Sequence, residues 1–357
     1  MTTKRMPPPP APVAGVPAVH RAPEVADRTW VPFQIPGIDV RLWRIDGPRL
    51  DGVPSADPCY VFREELVREF AWATWPHDRW TPEDRQHWTP CLLTGPTGSG
   101  KTSFVEQMAA RCNVPVLRVN MNVGTTVRNL KGRVGARPGR TVFIPGVATI
   151  AAESGAWLLL DELSAITQPV AMCLMPILEP NGAIFLEEAE PENGSECVYV
   201  KRHPDFRIYG TDNALGHMME DRRFDYLGTN PDQNLAVMAR FLSCIPVPYM
   251  DAGLEHRAVS QAVPTVDGLD LEGMIRVADK VRKASDIRSG FSTRLLIEWA
   301  RRFSAGRIRG NGTIEPGDDA FLVETARGAF LNLMGSQVER DAVLEVIRRV
   351  YELREVT

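Results

Sequence analysis

Short apolar runs alternate with helical periodicity through the middle of this 357-residue chain. Helical patterns occupy residues 103–112 and 145–154, between apolar runs. Strands separated by helices are typical of βαβ units, whose strands pair in parallel. The pattern therefore predicts an α/β fold with a five-stranded parallel sheet. The five strands are expected at residues 91–93, 114–119, 157–160, 206–210 and 243–247.

After residue 255 the pattern is helical only, with apolar residues three or four positions apart. We expect a smaller, all-helical C-terminal domain over residues 255–357, next to an α/β domain over residues 90–254. Its helices are predicted at residues 271–285, 293–303, 319–334 and 337–353.

The first 89 residues differ from both parts. Residues 1–28 are rich in proline and alanine, with four consecutive prolines at 7–10, which predicts a polyproline-like or disordered arm. The arm is either a docking tail or a solvated extension. Residues 29–89 are predicted to pack on the core through short strands and an amphipathic helix at 63–75.

Four of the eight tryptophans fall close together, namely Trp72, Trp75, Trp80 and Trp88. They either pack beside the first core strand or form an aromatic platform for nucleic acid. Few lysines lie nearby to contact a phosphate backbone, which favours packing.

Composition excludes several classes of protein. With 44% hydrophobic and 24% charged residues the chain is typical of a globular protein, and its net charge of -4 gives no overall attraction to nucleic acid. The six cysteines occur singly, so neither a zinc site nor a disulfide framework is predicted. No secretory signal or membrane-crossing run is evident, so a cytoplasmic protein without a membrane partner is expected.

A glycine-rich segment follows the first predicted strand and begins a helical pattern. Glycines let backbone N–H groups turn inward around phosphates, and the helix N-terminus adds its positive dipole end. Lys101 is expected to reach the β- and γ-phosphates, and the Thr102 hydroxyl is expected to bind Mg²⁺. ATP and Mg²⁺ are therefore the predicted cofactors. The segment, a P-loop, consists of Gly95, Pro96, Thr97, Gly98, Ser99, Gly100, Lys101 and Thr102.

About sixty residues later, a wholly apolar strand ends in Asp161 and Glu162. Open α/β sheets bind ligands at the carboxyl ends of their strands. Asp161 is therefore expected to hold Mg²⁺, directly or through water, and Glu162 to polarise the attacking water. The chain is thus predicted to hydrolyse ATP.

Several stretches resemble the MoxR-type AAA+ ATPases, most closely the cobaltochelatase ATPase subunits of the CobS type. They are residues 91–95, 104–111, 119–121, 145–146 and 203–213, within a similarity that extends from about residue 57 to about residue 302. The resemblance implies an AAA+ P-loop domain with a helical lid domain, in which ATP hydrolysis remodels a partner protein.

The resemblance also assigns residues that spacing alone does not. Asn213 is similar to the sensor-1 residue, which helps to position the hydrolytic water. Without the family pattern, an asparagine that closes a turn would be equally acceptable. Arg294, at the start of a predicted helix, is similar to the sensor-2 arginine that reaches the γ-phosphate from the lid.

Arg240 resembles the arginine finger that such proteins present to a neighbouring subunit. Ala239 stands where the family usually has aspartate, which puts the orientation of Arg240 in doubt, and Arg222 and Arg223 are rival fingers. A finger that acts in trans implies a homo-oligomer, and the family suggests a hexameric ring. Its relatives of the CobS type work with a von Willebrand-type partner and a chelatase subunit.

Two blocks of opposite charge follow the second predicted strand. In the MoxR-type ATPases such segments lie toward the ring pore. Three interpretations stay open for this chain: the two blocks pair between subunits, they contact a partner, or they are solvated. A nucleic-acid translocase with a basic pore loop is the alternative function. The basic block, predicted as a glycine-rich loop, contains Arg128, Lys131, Arg133, Arg137 and Arg140. The acidic block surrounds a predicted hairpin at residues 184–200 and contains Glu187, Glu188, Glu190, Glu192 and Glu196.

Overall fold

The computed structural model describes most of the chain after residue 27. The described residues are 28–76, 80–84, 87–179, 182–189, 198–200, 202–213, 236–284, 287, 290–309 and 319–351. The proline-rich arm, Arg222, Arg223, Glu190, Glu192 and Glu196 lie outside the described residues.

The elements follow the predicted alternation of strands and helices. In chain order they are β1 (Trp30–Phe33), β2 (Leu42–Ile45), α1 (Glu64–Thr74), β3 (Cys91–Thr94), α2 (Lys101–Cys112), β4 (Val116–Asn120), α3 (Val127–Leu130), β5 (Gly132–Arg137), β6 (Arg140–Pro145), α4 (Val147–Ser154), β7 (Trp157–Asp161), α5 (Gln168–Leu178), β8 (Ile184–Leu186), β9 (Val198–Val200), β10 (Arg207–Asp212), β11 (Ser243–Pro246), α6 (Ala252–Ala262), α7 (Gly268–Lys283), α8 (Thr293–Arg309), α9 (Asp319–Ala329) and α10 (Gln337–Tyr351).

Five strands form the central sheet in the order β11-β3-β10-β7-β4, and every neighbouring pair is parallel. The predicted five-stranded parallel sheet is therefore confirmed. Strand β3 lies between β10 and β11, so its carboxyl end faces the crevice where the strand order reverses. Ligands of open α/β sheets bind in such crevices.

Both faces of the sheet are covered, because successive side chains of a strand point to opposite faces. Trp157 and Leu159 of β7 pack in one hydrophobic cluster, whereas Leu158 and Leu160 pack in another. The first cluster also receives β1, β2, α1 and α2. Within it, Phe70 of α1 stacks on Tyr209 of β10 with ring centroids 4.9 Å apart. The N-terminal elements thus complete the core of the sheet.

Asn113 ties the N-terminal segment to the helix that follows the P-loop. It ends α2 in the left-handed conformation, with φ of 55°, which asparagine tolerates better than most residues. Its side-chain amide donates to the carbonyls of Ile45 and Pro48 and accepts the N–H of Leu50. These three bonds fix the chain after β2 against the end of α2.

The helices α6 to α10 surround a third hydrophobic cluster. At its centre Phe330 makes edge contacts with Phe291 and Trp299, at centroid distances of 4.5 and 5.3 Å. The C-terminal part is therefore helical, as predicted, and we call α6 to α10 the lid. The exact domain boundaries remain a prediction.

Some local predictions were wrong. The basic stretch is not a loop: it contains α3 and an antiparallel hairpin of β5 and β6. Glycine and arginine in β5 hide its strand character, which comes from pairing with the apolar β6. Helices α5 and α6 had no counterpart among the predictions. The predicted β8–β9 hairpin does form.

The tryptophans are mainly structural. Trp75 and Trp80 are buried, and Trp88 packs edge-on against Phe206 at 5.8 Å, whereas Trp72 is exposed. No helix within the described ranges is both long and apolar enough to cross a membrane.

Candidate functional site

Three chain segments meet at the carboxyl edge of the sheet. The P-loop follows β3, Asp161 ends β7, and Asp212 ends β10, which lies between the other two strands. The register places Asp212 opposite Thr94, directly before the P-loop. The sheet therefore brings together the residues that the sequence predicted at separate places.

The side chain of Lys101 folds back over the P-loop. Its ammonium donates to the carbonyls of Gly95 and Pro96, both at 2.8 Å. Burial lowers the pKa of Lys101, and the nearby carboxylates of Asp212 and Asp161 act in the opposite direction. A partly desolvated cation beside neutral carbonyls is suited to receive an anionic ligand.

The backbone of the loop leaves a cradle for that anion. Gly95, Gly98 and Gly100 all have positive φ, and a Cβ on Gly95 would lie 2.2 Å from the carbonyl oxygen of Val247. The hydroxyl of Ser99 is buried and has no hydrogen-bond partner among the described residues. A glycine-built loop with an unsatisfied hydroxyl and a buried lysine fits the phosphates of a nucleotide.

Asp161 is held from three sides. Its Oδ1 accepts hydrogen bonds from the hydroxyls of Thr102, at 2.8 Å, and Thr211. Its Oδ2 accepts the Nε of Arg118 at 3.0 Å, and Arg118 also reaches Glu106 at 3.3 Å. The paired oxygens of Thr102 and Asp161 are hard ligands of the kind Mg²⁺ takes, when phosphate oxygens and water complete its shell. The residues present therefore fit Mg²⁺.

Glu162 leaves the strand in an unusual conformation. Its φ of 62° lies in the left-handed region, which is uncommon for glutamate. Its N–H donates to the Thr211 hydroxyl at 3.1 Å, and the side chain is exposed at the sheet edge. The turn therefore directs this carboxylate toward solvent, next to the buried Asp161.

Asn213 directly follows β10 and is half-buried at the same edge. The sequence pattern predicted a role for Asn213 but none for Asp212, the residue before it. Asp212 is fully buried, and its charge raises the pKa of Lys101 against the effect of burial.

The lid and the segment just before it both contact the P-loop. The hydroxyl of Tyr249 donates to the carbonyl of Thr97 at 3.0 Å. A Cβ on Gly98 would lie 2.3 Å from the Cβ of Ser292, so the side chain of Ser292 packs on the loop where only glycine leaves room for it. The start of α8 therefore lies directly against the loop.

A buried ion pair fixes that part of the lid. Arg282 of α7 makes two hydrogen bonds to Glu255 of α6, at 2.7 and 2.8 Å, and its Nε donates to the carbonyl of Phe291 at 2.7 Å. Glu255 also accepts the hydroxyl of Thr293 at 2.7 Å. Arg294, the next residue, is exposed at the start of α8. The network thus holds the backbone that carries Arg294.

Arg240 is bound within its own chain. Its Nε donates to Glu179 at 3.0 Å, and a second guanidinium nitrogen donates to the carbonyl of Ala236 at 2.8 Å. The structure therefore does not bring Arg240 together with the P-loop of the same chain.

Two family descriptions match separate parts of the chain. Residues 90–224 match the family described as AAA domain (dynein-related subfamily). Residues 255–311 match the family described as CbbQ/NirQ/NorQ C-terminal, and they contain most of α6 and all of α7 and α8. The first match contains the P-loop, and the second contains Ser292, which packs against Gly98 of that loop.

Two curated proteins are similar over most of their length. The aerobic cobaltochelatase subunit CobS of Sinorhizobium sp is 29% identical over 316 residues, which cover 85% of each chain. The denitrification regulatory protein NirQ of Stutzerimonas stutzeri is 28% identical over 70% of this chain and 86% of its own. The chain is an AAA+ ATPase that resembles the MoxR-type proteins. Among solved structures, the RuvB Holliday junction branch migration motor of Thermotoga maritima covers 84% of this chain and 80% of its own, with 14% identity and a TM-score of 0.49.

The charge blocks of this AAA+ ATPase pair within one chain. Arg128 binds Glu188 at 2.9 Å, and Lys131 binds Glu187 at 2.9 Å. Glu188 also accepts the N–H of Val134 at 2.9 Å, and this bond, with Arg128, lowers the pKa of Glu188. The expected attraction is therefore present, but it joins α3 and the β5–β6 hairpin to the segment after β8 in the same subunit.

The described part of the AAA+ ATPase contains no group of three or more metal-ligating side chains and no disulfide. Cys59, Cys91, Cys112, Cys173 and Cys244 are free thiols. Burial raises the pKa of Cys173 to about 11 and that of Cys91 to about 12. Both thiols are therefore protonated and unreactive at neutral pH.

Proposed function

We propose that this ATPase is the motor subunit of a homohexameric ring that remodels a partner protein. The observation that carries the proposal is the convergence of the P-loop, Asp161 and Asn213 at one sheet edge, with the lid seated on the P-loop at Gly98. Such a site couples the state of a bound nucleotide to the position of a second structural unit.

The proposed roles within one subunit follow from the contacts. Lys101, Ser99 and the N–H groups of the loop bind the phosphates of ATP. Thr102 and Asp161 would hold Mg²⁺, which would supply positive charge to neutralise the phosphates. Glu162, exposed beside them, accepts a proton from the attacking water.

Two further residues complete the site from neighbouring elements. Asn213, at the end of β10, helps to orient the attacking water by hydrogen bonding. Arg294, which α8 presents beside the P-loop contact of Ser292, binds the γ-phosphate. The positive charge of Arg294 stabilises the transition state more than the ground state, because negative charge moves during the transfer.

We propose that Arg240 acts on the site of the neighbouring subunit. It lies away from its own P-loop and forms a half-exposed ion pair with Glu179. Exchanging this ion pair for a contact with a neighbouring subunit costs little free energy. Arg222 and Arg223 remain the rivals. A finger of this kind is worth on the order of 10³–10⁵ in rate, so an isolated subunit should be nearly inactive.

The proposed client is a protein, engaged for metal chelation or cofactor insertion, with a von Willebrand-type partner. The similarity to CobS over 85% of both chains supports this choice. A cytoplasmic location agrees with the exposed free thiols of Cys59 and Cys244. We keep residues 1–28, 29–89, 90–254 and 255–357 as the proposed arm, extension, core domain and lid domain.

A nucleic-acid translocase is the weaker alternative. It needs the basic block to be available for phosphates, whereas Arg128 and Lys131 are already neutralised by Glu188 and Glu187. DNA binding that weakens steeply with salt and disappears on reversing Arg133 and Arg137 to glutamate would favour this alternative.

The proposal is tested by Glu162→Gln. Because Glu162 is exposed and does not hold the loop, the variant should bind ATP with normal affinity but lose hydrolysis, on the order of 10²-fold or more. Affinity is measured by nucleotide titration and hydrolysis by phosphate release. The matched control is Glu272→Gln, an exposed glutamate of the lid, which should change neither.

The same variant tests the ring and the client. With ATP, Glu162→Gln should sediment as a hexamer and retain the von Willebrand-type partner, while the Lys101→Ala protein should retain neither. Full hydrolysis by a monomer would refute the ring mechanism. A stable hexamer that binds no partner protein in either nucleotide state would refute the remodelling function.

A further inference from the structure

The N-terminal extension contains a pocket that the nucleotide site does not use. It lies between β2 and α1 and encloses about 330 Å³. Four tryptophan side chains line this pocket: Trp43, Trp72, Trp75 and Trp80. The ring of Trp80 lies 5.1 Å from that of Trp43 and 6.3 Å from that of Trp75. Trp72 is 54% exposed, so one wall remains open to a ligand.

The charged residues that line this tryptophan pocket are Asp39, Arg41 and Arg68. The guanidinium of Arg41 lies over the ring of Trp43, 4.9 Å from its centroid, and Arg68 is paired with Glu64. A guanidinium can donate hydrogen bonds but cannot accept them. The aromatic rings therefore favour an apolar ligand, and Arg41 favours one that carries hydrogen-bond acceptors.

A run of prolines has this chemistry. Proline has no backbone N–H but keeps its carbonyl, so four consecutive prolines offer four acceptors and no donor. Polyproline II segments dock in aromatic-lined grooves because the helix is preformed and loses little entropy. Residues 7–10 of this chain are such a run.

The path of the chain makes this run available to the pocket. The described chain begins at Arg28, which donates to the carbonyls of Ser154 and Gly155, and Trp30 then packs edge-on against Trp80 at 6.3 Å. The arm therefore joins the fold one aromatic ring away from the pocket. Its intervening residues, 11–27, span up to roughly 60 Å when extended, which is ample for a return.

One charge at the pocket offers the arm a partner. Lys4 and Arg5 precede the prolines, separated from them by Met6, and the exposed Asp39 lies at the pocket. A carboxylate there can pair with either cation when the prolines occupy the tryptophan walls. We propose that the tryptophan pocket is a docking site for the arm of the same chain, which it binds through residues 4–10. The occupied pocket holds the arm against the N-terminal extension.

Limited proteolysis of the full chain tests the proposal. Trypsin cuts after Lys4 and Arg5, which lie in the docked segment, and after Arg21, which lies outside it. Cleavage after Arg5 should be about tenfold slower in the wild type than in Trp72→Ala, which corresponds to about 1.4 kcal/mol of docking energy. Cleavage after Arg21 should be equal in both. Mass spectrometry of the released peptides gives both rates.

The control variant is Tyr199→Ala, which removes an equally exposed aromatic side chain from β9 and should not change either rate. Pro9→Ser with Pro10→Ser should accelerate cleavage after Arg5 as Trp72→Ala does, and combining them should add nothing further. Equal cleavage after Arg5 in the wild type and Trp72→Ala overturns the proposal. Protection that increases with protein concentration also overturns it, because the arm then comes from another copy.

Discussion

Gly98 and Gly139 have nearly the same backbone conformation, with φ of 76° and 77°, in different surroundings. Gly98 lies in the P-loop against Ser292 of the lid. Gly139 lies at the turn between β5 and β6, where an added Cβ would meet nothing within 4 Å. Alanine variants at these two positions therefore separate the effect of backbone strain from the effect of the contact between loop and lid.

Gly98→Ala is expected to abolish most ATP hydrolysis. Both alanine variants should lose roughly 1–2 kcal/mol of stability from the left-handed backbone, but only Gly98→Ala pushes the lid off the loop. Chemical denaturation and phosphate release measure the two effects. Equal hydrolysis by the two variants would show that the contact at Ser292 is not needed.

The residues of the site differ in how readily they could be predicted from the sequence. Lys101, Thr102 and Asp161 were predicted because a local motif carries their chemistry. Arg118 and Tyr249 were not, because their partners, Asp161 and Thr97, are 43 and 152 positions away in the chain. Only the parallel register of the sheet and the path of the chain between β11 and the lid bring such residues together.

Among the elements, α7 ends with two neighbouring cations in very different environments. Arg282 is paired with the buried Glu255, whereas Lys283 is paired with the exposed Asp279 at 2.8 Å. The first pair joins α7 to α6 and to the start of α8, and the second lies within one helix.

Arg282→Ala should destabilise the protein by roughly 3–5 kcal/mol, because it leaves the buried charge of Glu255 without its partner. Lys283→Ala should cost at most about 1 kcal/mol. Urea denaturation followed by circular dichroism measures both. A similar loss in the two variants would mean that the buried network does not hold the lid together.

The elements also show where pattern reasoning succeeds. Strands β3 and β7 are buried on both faces, and the apolar runs that this burial requires revealed them in the sequence. Hairpin β5–β6 was not predicted, since glycines and arginines mask its alternation and its pairing is not encoded in either strand alone. Helix α5 is apolar on most sides, so it lacks the polar face that reveals an amphipathic helix.

At the scale of the whole molecule, the proposed role of Arg240 in the neighbouring site requires the subunits to assemble. Arg240→Ala and Glu162→Gln subunits should each be inactive alone. When mixed in equal amounts, about a quarter of the sites should regain activity, because the Glu162→Gln subunit still donates its finger to a neighbour with an intact Glu162. Phosphate release by the mixture is the measurement.

Glu179→Ala is the control for that experiment. It removes the resting partner of Arg240 but leaves the finger, so its hydrolysis should stay close to that of the wild type. A mixture as inactive as its components would place Arg240 outside the catalytic site and direct attention to Arg222 and Arg223.

The hydrogen bonds between Arg118 and Asp161 have a consequence for metal binding at Asp161. A carboxylate already neutralised by a guanidinium gains little from a new cation until the guanidinium withdraws. Glu106 on α2, 3.3 Å from the same guanidinium, offers Arg118 an alternative partner. A Mg²⁺ ion held by Asp161 would compete with Arg118 for this carboxylate, and Arg118 would keep its contact with α2 through Glu106. The helix that begins at the P-loop would thereby be coupled to the occupancy of the metal site.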